Sequence, residues 1–233
     1  MTRQPTEKEL CHEHLGDTFA AALSNYDTQR RVAVLIDDFL GQMPLAGLRV
    51  LDAGCGLGFF SARLKHFGAH VLATDIGPGL VEKTRREVGC EGEVADVLQL
   101  SDHFGKNCFD GLVSSECIEH TPQPNEAVRQ MVQVVKPGGF ISISTPNFIW
   151  WPVVKTATVL RLRPFTGHEN FSSWSGLRHV LESNGAIMVR QFGLHLFPFQ
   201  LPLHRLSTWC DHHLQALRGV MINICVLARK ADS

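Results

Sequence analysis

Several features that would identify a secreted, membrane-spanning or nucleic-acid-binding protein are absent from this 233-residue chain. Its seven cysteines are scattered and form no CxxC pair, so neither a zinc knuckle nor a disulfide framework is indicated. The N-terminus lacks the apolar core of a signal peptide, and no apolar run approaches the ~20 residues of a transmembrane helix. With 22 Lys+Arg against 23 Asp+Glu, the chain has no basic excess for nucleic acid. We therefore expect a globular cytoplasmic protein and do not expect nucleic acid as a partner.

The pattern of apolar residues indicates the fold class. Hydrophobic residues make up 44% of the chain, enough for a sizeable core in one domain. The predicted strands are Leu48–Ala53, His70–Thr74, Phe109–Ser114, Phe140–Ser144, Ile187–Phe192 and Met221–Ala228. The predicted helices are Thr28–Leu40, Phe59–Phe67, Gly79–Val88, Asn125–Val135 and Leu177–Glu182. The alternation predicts βαβ units, and therefore an α/β fold whose parallel sheet is covered by helices on both faces.

A glycine-rich turn between the first predicted strand and the next helix is the sharpest local signal. Its glycines are Gly54, Gly56 and Gly58, in the spacing GxGxG rather than the dinucleotide-binding GxGxxG. Asp52 stands two residues before this turn, where a carboxylate suits a cationic ligand better than a diphosphate. Asp75 ends the next strand, where an acid can bond both ribose hydroxyls, and Asp96 could meet an adenine edge.

These features resemble the class I S-adenosylmethionine-dependent methyltransferases over about residues 30–190, including Lys136-Pro137-Gly138-Gly139 before a strand. The resemblance implies a Rossmann-like, seven-stranded, mostly parallel sheet with one antiparallel strand near the C-terminus, and S-adenosylmethionine as cofactor. It implies as cofactor-binding residues Arg31, Asp52, Gly54, Gly56, Gly58, Asp75, Ile76, Asp96, Val97 and Ser115. Arg31 matches, across a gap, an arginine near the cofactor carboxylate in ubiquinone-pathway enzymes. The alternative is a nucleotide-binding turn for another ligand such as NAD.

The acid-rich segment after the strand Phe109–Ser114 is the second signal. If it forms one helical turn, Glu116, Glu119 and His120 share one face, which could ligate a divalent ion. With His168 as a further ligand, the pattern resembles two branches of the family, the ubiquinone-biosynthesis O-methyltransferases and the small-RNA terminal 2′-O-methyltransferases. The resemblance implies that these four residues hold Mg²⁺ or Zn²⁺. Two alternatives stay open: His120 or His168 acts as the catalytic base, or the segment only caps and packs.

The chain reads as one domain, 1–233, made of an N-terminal segment (1–27), a cofactor-binding core (28–146), substrate or lid elements (147–206) and a closing helix and strand (207–233). Within it, residues 147–165 combine aromatic and basic side chains, which suits a lid over an apolar substrate or a contact with a membrane surface. A helix buried against the core would show the same tryptophans.

The combined prediction is an enzyme that methylates the hydroxyl of a small, fairly apolar acceptor, such as a quinone precursor, a phenol or a secondary metabolite. The transfer is in line, with deprotonation assisted by a histidine or a metal. Two rivals remain: an RNA terminal 2′-O-methyltransferase that shares the acid-rich pattern, and a protein that binds S-adenosylmethionine without catalysis. The sequence does not indicate an oligomeric state.

Overall fold

The computed structural model describes residues 25–159, 169–198 and 203–232, and its framework is a seven-stranded sheet. The strands are β1 (Arg49–Ala53), β2 (His70–Asp75), β3 (Glu91–Val94), β4 (Phe109–Ser115), β5 (Val135–Pro146), β6 (Ala186–Leu194) and β7 (Asn223–Lys230). Their order across the sheet is β3-β2-β1-β4-β5-β7-β6. Strands β1 to β5 pair in parallel, whereas β7 runs antiparallel to both β5 and β6. The predicted mostly parallel sheet with one antiparallel strand is confirmed.

Helices fill the connections between the strands. They are α1 (Asn25–Val32), α2 (Phe59–His66), α3 (Pro78–Val88), α4 (Leu100–Phe104), α5 (Pro124–Val134), α6 (Trp151–Val159), α7 (Trp174–Ser183) and α8 (His204–His213). Shorter turns of 3₁₀ helix span Val97–Gln99, Ile118–His120, Phe148–Trp150 and Gln215–Val220. A π-helical stretch, Ala33–Asp38, continues α1 toward β1.

The core consists of two hydrophobic clusters, one on each face of the sheet. Successive residues of β1 illustrate the division, since Val50 belongs to one cluster and Leu51 to the other. Met131 of α5 and Leu181 of α7 pack with Leu51, whereas Leu64 of α2 packs with Val50. Because both faces of the sheet are covered, the central strands are apolar throughout and do not alternate between apolar and polar residues. Such continuous apolar runs are easily recognised in the sequence.

Two local differences separate the structure from the sequence-based elements. Strand β3 is not among the predicted strands, because Glu91–Val94 reads EGEV and lies at the edge of the sheet with mostly exposed side chains. Helix α1 already includes Asn25, the first described residue, whereas the sequence predicts a helix that starts at Thr28, after the N-terminal segment 1–27. This earlier start matters because it places Asp27 on a helix. The division of the domain into four parts remains a prediction.

Candidate functional site

The glycine-rich turn follows β1 at the carboxyl edge of the sheet and needs glycine for two distinct reasons. All three glycines have positive φ, +80° at Gly54, +50° at Gly56 and +79° at Gly58, a region that other residues rarely adopt. A Cβ at Gly54 would lie 2.5 Å from Sγ of Cys117, and one at Gly58 would lie 2.8 Å from Thr84. The turn is therefore packed closely against two neighbouring segments, one of which is the acid-rich segment after β4.

The backbone amides of this turn donate to the protein itself. The N–H groups of Gly54 and Cys55 both donate to the carbonyl of Thr74 at 2.8 Å, and Gly58 donates to the carbonyl of Cys55 at 2.9 Å. The Gly56 N–H donates to Oδ2 of Asp75 at 3.0 Å. A diphosphate site presents such amides to its ligand. Since four of them are already used, the turn favours a ligand without a diphosphate.

Acidic side chains lie at the carboxyl ends of the three neighbouring strands β1, β2 and β3: Asp52 within β1, Asp75 at the end of β2 and Asp96 two residues after β3. Asp75 ends β2 and also accepts from the N–H of Gly77 at 3.0 Å, which fixes the carboxylate at the sheet edge. Asp96 caps the Val97–Gln99 turn by accepting from the N–H of Leu98 at 3.0 Å. Both aspartates are half-buried, as are the adjoining predicted residues Ile76 and Val97, so they line this edge and stay within reach of a ligand.

Asp52 differs from these two acids because it is almost completely buried, with 1% of its surface exposed. The hydroxyl of Ser61 donates to its Oδ2 at 2.5 Å. Burial raises the pKa of Asp52 to about 7, and the nearby charge of Asp75 acts in the same direction, against the Ser61 hydrogen bond. A positively charged ligand near the turn would therefore stabilise the ionised form of the Asp52 carboxyl group.

A second polar cluster surrounds Arg31, next to the carboxyl end of β4. Nε and Nη2 of Arg31 donate to the two oxygens of Asp27 at 3.2 and 2.8 Å, and Nη1 donates to Oγ of Ser115 at 2.8 Å. Arg31 keeps the pKa of Asp27 near 2 although burial alone would raise it. The predicted residues Arg31 and Ser115 are thus brought into direct contact.

The acid-rich segment does not form the single helical turn that placed its three side chains on one face. Glu116 has a φ of +50° and precedes the 3₁₀ turn Ile118–His120. Its two carboxylate oxygens accept from Oγ of Ser144 at 2.9 Å and from Nδ2 of Asn223 at 3.0 Å. The strained backbone therefore directs Glu116 toward β5 and β7, which corrects the i, i+3, i+4 arrangement expected from spacing.

Glu119 and His120 lie together one turn later. The carboxyl group of Glu119 is 1% exposed, and burial raises its pKa to about 8. Nε2 of His120 lies 3.9 Å from Oε1 of Glu119, and the imidazole remains partly exposed. Oγ1 of Thr145 donates to Glu119 at 3.3 Å. The partly exposed imidazole of His120 thus lies next to the buried carboxyl group of Glu119.

The predicted metal site gains no support. Within residues 25–159, 169–198 and 203–232, no group of three or more His, Cys, Asp and Glu side chains could hold a metal ion. His168, the proposed further ligand and alternative base, lies outside the described residues. The donor set that is described, with Glu116 already bonded on both oxygens, does not assemble a site for Mg²⁺ or Zn²⁺.

Sequence reasoning missed three residues of this region. Asp27 belongs to the predicted N-terminal segment 1–27 and not to the predicted first helix, although its i, i+4 spacing to Arg31 is a usable signal. His195 is not among the residues that the sequence predicts for the site, yet it is fully buried and its Nε2 lies 2.9 Å from Oδ1 of Asp27. No sequence signal links Asn223 to Glu116, which lies 107 residues earlier.

The late aromatic segment is exposed where the structure describes it. None of the residues of α6 is buried, which overturns the alternative of a helix buried against the core for this stretch. Phe148, Ile149 and Val153 are each more than half exposed. Nε1 of Trp150 donates to the carbonyl of Val220 at 2.9 Å and anchors the preceding turn. In the described part of the chain, no helix has the length and apolar character needed to cross a bilayer.

Comparisons with known proteins agree with this geometry. Residues 51–143 match the profile of a family described as a methyltransferase domain. The ubiquinone biosynthesis O-methyltransferase of Xylella fastidiosa (strain 9a5c) is 32% identical over 171 residues, which cover 70% of this chain and 67% of that protein. The protein of the same name from Xanthomonas oryzae pv. oryzae (strain PXO99A) is 37% identical over 119 residues, or 49% of each chain. The aligned region thus spans about two thirds of the first relative and about half of the second.

A solved structure shares the whole architecture. Magnesium protoporphyrin IX methyltransferase from Synechocystis PCC 6803, determined with bound SAH, superposes with a TM-score of 0.68 at 16% identity. The superposition covers 97% of this chain and 100% of that one. At this identity the similarity shows a common fold, while the sequence relatives carry the closer relationship.

Proposed function

The chain belongs to the S-adenosylmethionine-dependent methyltransferases, and from this premise we propose that it methylates a hydroxyl oxygen of a small, fairly apolar acceptor. The observation that carries the proposal is the acidic edge formed by Asp52, Asp75 and Asp96 around a turn whose amides are already used. Such an edge suits a cationic, ribose-containing ligand. The relatives named ubiquinone biosynthesis O-methyltransferases support a quinone precursor or another phenol as acceptor.

Each acidic residue has a distinct part in this proposal. Asp75, fixed by the N–H groups of Gly56 and Gly77, binds the ribose hydroxyls, and the Asp96–Val97 pair flanks the adenine. The buried carboxyl group of Asp52 favours the positive charge of the methionine part from beneath the turn. When bound, S-adenosylmethionine supplies an electrophilic methyl group on a sulfonium. The protein's main contribution is to align that methyl with the acceptor oxygen.

We propose His120 as the group that takes the proton of the acceptor hydroxyl. It is partly exposed, lies after the carboxyl end of β4, and has the Glu119 carboxyl group 3.9 Å behind it. His168 and a divalent ion stay as sequence-based predictions. A phenolic acceptor needs the least assistance, because its hydroxyl is already more acidic than that of a ribose or an alcohol.

Turnover with defined acceptors tests this function. We expect the protein to convert S-adenosylmethionine to S-adenosylhomocysteine with an alkyl-substituted catechol, and mass spectrometry should find one added methyl on the product. His120→Gln should lower kcat about 100-fold or more while leaving the Kd for S-adenosylhomocysteine unchanged, and exposed His70→Gln is the matched control. Methylation of a short RNA but of no catechol would support the RNA rival. Binding of the cofactor without turnover of any acceptor would support the non-catalytic rival.

We also propose that the exposed Phe148–Val159 surface contacts a lipid bilayer. Phe148 and Ile149 are exposed by 55% and 52%, and Nζ of Lys155 lies 4.5 Å from the ring centre of Trp151, which adds a positive charge to the apolar surface. Flotation with phosphatidylcholine–phosphatidylglycerol vesicles should show about tenfold weaker binding for the double variant Phe148→Ser/Ile149→Ser. The control is Ile187→Ser/Val189→Ser, which removes equally exposed side chains from β6. Equal flotation of both double variants would contradict this contact.

A further inference from the structure

Two consecutive arginines of α1 both pair with buried aspartates, but they point to different parts of the molecule. Arg30 reaches Oδ2 of Asp211, on α8, at 3.5 Å. Arg31 turns the other way and reaches Asp27 and Ser115, the latter at the carboxyl end of β4. Only the second arginine therefore approaches the edge of the sheet at which the acidic residues of the site lie.

The guanidinium of Arg31 is held from three directions. Of its five N–H groups, Nε and one on Nη2 donate to Asp27, the other on Nη2 faces Thr28 at 3.4 Å, and one on Nη1 donates to Ser115. The second Nη1 hydrogen has no acceptor among the described residues. Because Arg31 is only 5% exposed, its side chain has little contact with solvent, and its orientation is set by the protein groups around it.

Asp27 is itself held from behind by His195. Nε2 of His195 lies 2.9 Å from Oδ1 of Asp27, the same oxygen that accepts from Nε of Arg31. His195 is fully buried and has a φ of +63°, an uncommon backbone conformation for a residue other than glycine. The chain thus bends sharply after β6 to bring this imidazole against α1.

We propose that Asp27 and His195 are positioning residues, which hold the guanidinium of Arg31 for the contact with the carboxylate of the cofactor's methionine part that the family resemblance implies for Arg31. The inference rests on the proposed function, because it requires S-adenosylmethionine as the ligand. The carboxylate of Asp27 sets the plane of the guanidinium, and His195 prevents that carboxylate from rotating away. The resulting network joins the N-terminal helix to the segment after β6, 168 residues later in the chain.

The test compares two ligands that differ in the amino-acid moiety. S-adenosylhomocysteine carries the carboxylate and 5′-methylthioadenosine lacks it, so the ratio of their Kd values, measured by calorimetry, reports the carboxylate contact. The ratio is the Kd of 5′-methylthioadenosine divided by that of S-adenosylhomocysteine. Arg31→Met should reduce this ratio about tenfold, which corresponds to the loss of one charge-assisted hydrogen bond. Asp27→Asn should cause most of the same reduction. His195→Asn should shift the ratio in the same direction, since asparagine tolerates positive φ but is too short to reach Asp27.

The matched control is Asp211→Asn, which removes the negative charge that faces the neighbouring arginine but keeps a side-chain oxygen that can accept from the N–H of Leu196. It should leave the Kd ratio unchanged within about twofold even if the Tm falls, because Arg30 does not face the site. Circular dichroism at the assay temperature confirms that each variant is folded. Adding Asp27→Asn to Arg31→Met should cause no further change in the ratio.

Three results would overturn parts of the inference and can be told apart. An unchanged ratio in both Asp27→Asn and His195→Asn, with a reduced ratio in Arg31→Met, would remove the positioning role and leave Arg31 as a direct ligand. An unchanged ratio in Arg31→Met would remove the carboxylate contact itself. Failure of the unaltered protein to bind S-adenosylhomocysteine would instead reject the proposed function.

Discussion

Asp52 and Asp27 are both buried aspartates of the same site, yet their pKa values are shifted in opposite directions. Burial raises the pKa of Asp52 to about 7, because the hydrogen bonds from the hydroxyl and the backbone of Ser61 oppose it only in part and no cation of the described residues adds to them. The pKa of Asp27 falls to about 2, because the guanidinium of Arg31 and the imidazole of His195 face it. Burial acts on both residues in the same sense, so the partners decide the sign.

The two surroundings serve different purposes. In the region of the glycine-rich turn, none of the groups that shift the pKa of the buried Asp52 is a cation among the described residues, and we interpret this region as suited to a cationic ligand. The region around α1 is already neutralised within the protein, and we interpret it as a rigid support. The net charge of the chain is only −1, so acidic residues are not in general excess. The grouping of Asp52, Asp75 and Asp96 at one edge of the sheet therefore indicates a site.

The largest expected effect comes from removing the cation of the α1 region. Arg31→Met leaves the carboxylate of Asp27 buried without its main partner, and we expect the free energy of unfolding at pH 7 to fall by about 3–5 kcal/mol. Urea denaturation of the free protein measures this loss. The control Arg85→Met removes an exposed pair with Glu82 and should cost at most about 1 kcal/mol. Similar losses of stability for the two variants would show that the buried Arg31–Asp27 pair contributes no more than an exposed ion pair.

A second change removes an acid from the glycine-turn region. Asp75→Ala deletes the acceptor of two backbone N–H groups and the proposed partner of the ribose, so the Kd for S-adenosylhomocysteine should rise about 100-fold. Calorimetry measures the change, and exposed Asp102→Ala is the control. If affinity is retained in Asp75→Ala, the ligand does not lie along this edge.

The third prediction uses pH to separate the two aspartates. Since the pKa of Asp52 rises from 3.8 to about 7 on folding, the folded state binds more protons in this window, and stability falls as pH increases through it. Asp52→Asn should reduce that slope by up to about 1.4 kcal/mol per pH unit. Urea midpoints of the free protein between pH 4 and 7 measure it.

Asp27→Asn provides the contrasting result in the same experiment. The pKa of Asp27 is lowered from 3.8 to about 2, so its contribution is present above the upper value and is lost only as pH falls through the lower one. Asp27→Asn should therefore lower stability by a constant amount between pH 4 and 7, without changing the slope. If stability depends on pH with the same slope in wild type and Asp52→Asn, the raised pKa of Asp52 is not the source of that pH dependence.

The smallest expected effect concerns the support of the glycine-rich turn. Oγ1 of Thr84 donates to the carbonyl of Gly56 at 3.1 Å, and Thr84→Val removes this bond with little change in shape. We expect a loss of about 1 kcal/mol in unfolding free energy and a small rise in the Kd for S-adenosylhomocysteine. Ser183→Ala, which removes a bond to the carbonyl of Val180 on α7, should affect stability alone. A change in Kd for this control would point to a general loosening of the fold.

The parts of this protein that depend on local spacing can be predicted from its sequence. The alternation of apolar strands and helices determined the sheet, because a strand covered on both faces must be apolar throughout. The turn from Gly54 to Gly58 and the acids Asp52 and Asp75 are recognisable in the sequence because their spacing along the chain is short and local. The edge strand β3, which has neither an apolar run nor two covered faces, escaped the same reasoning.

The partners of the charged residues, in contrast, depend on the completed fold. Glu116 and His120 had the right spacing for one helical face, but the positive φ of Glu116 turned it toward Ser144 and Asn223 instead. The buried network of Arg31 unites Asp27 with His195 across 168 residues. No local pattern encodes such a contact, because the energy of a buried charge depends on which partners the completed fold brings to it.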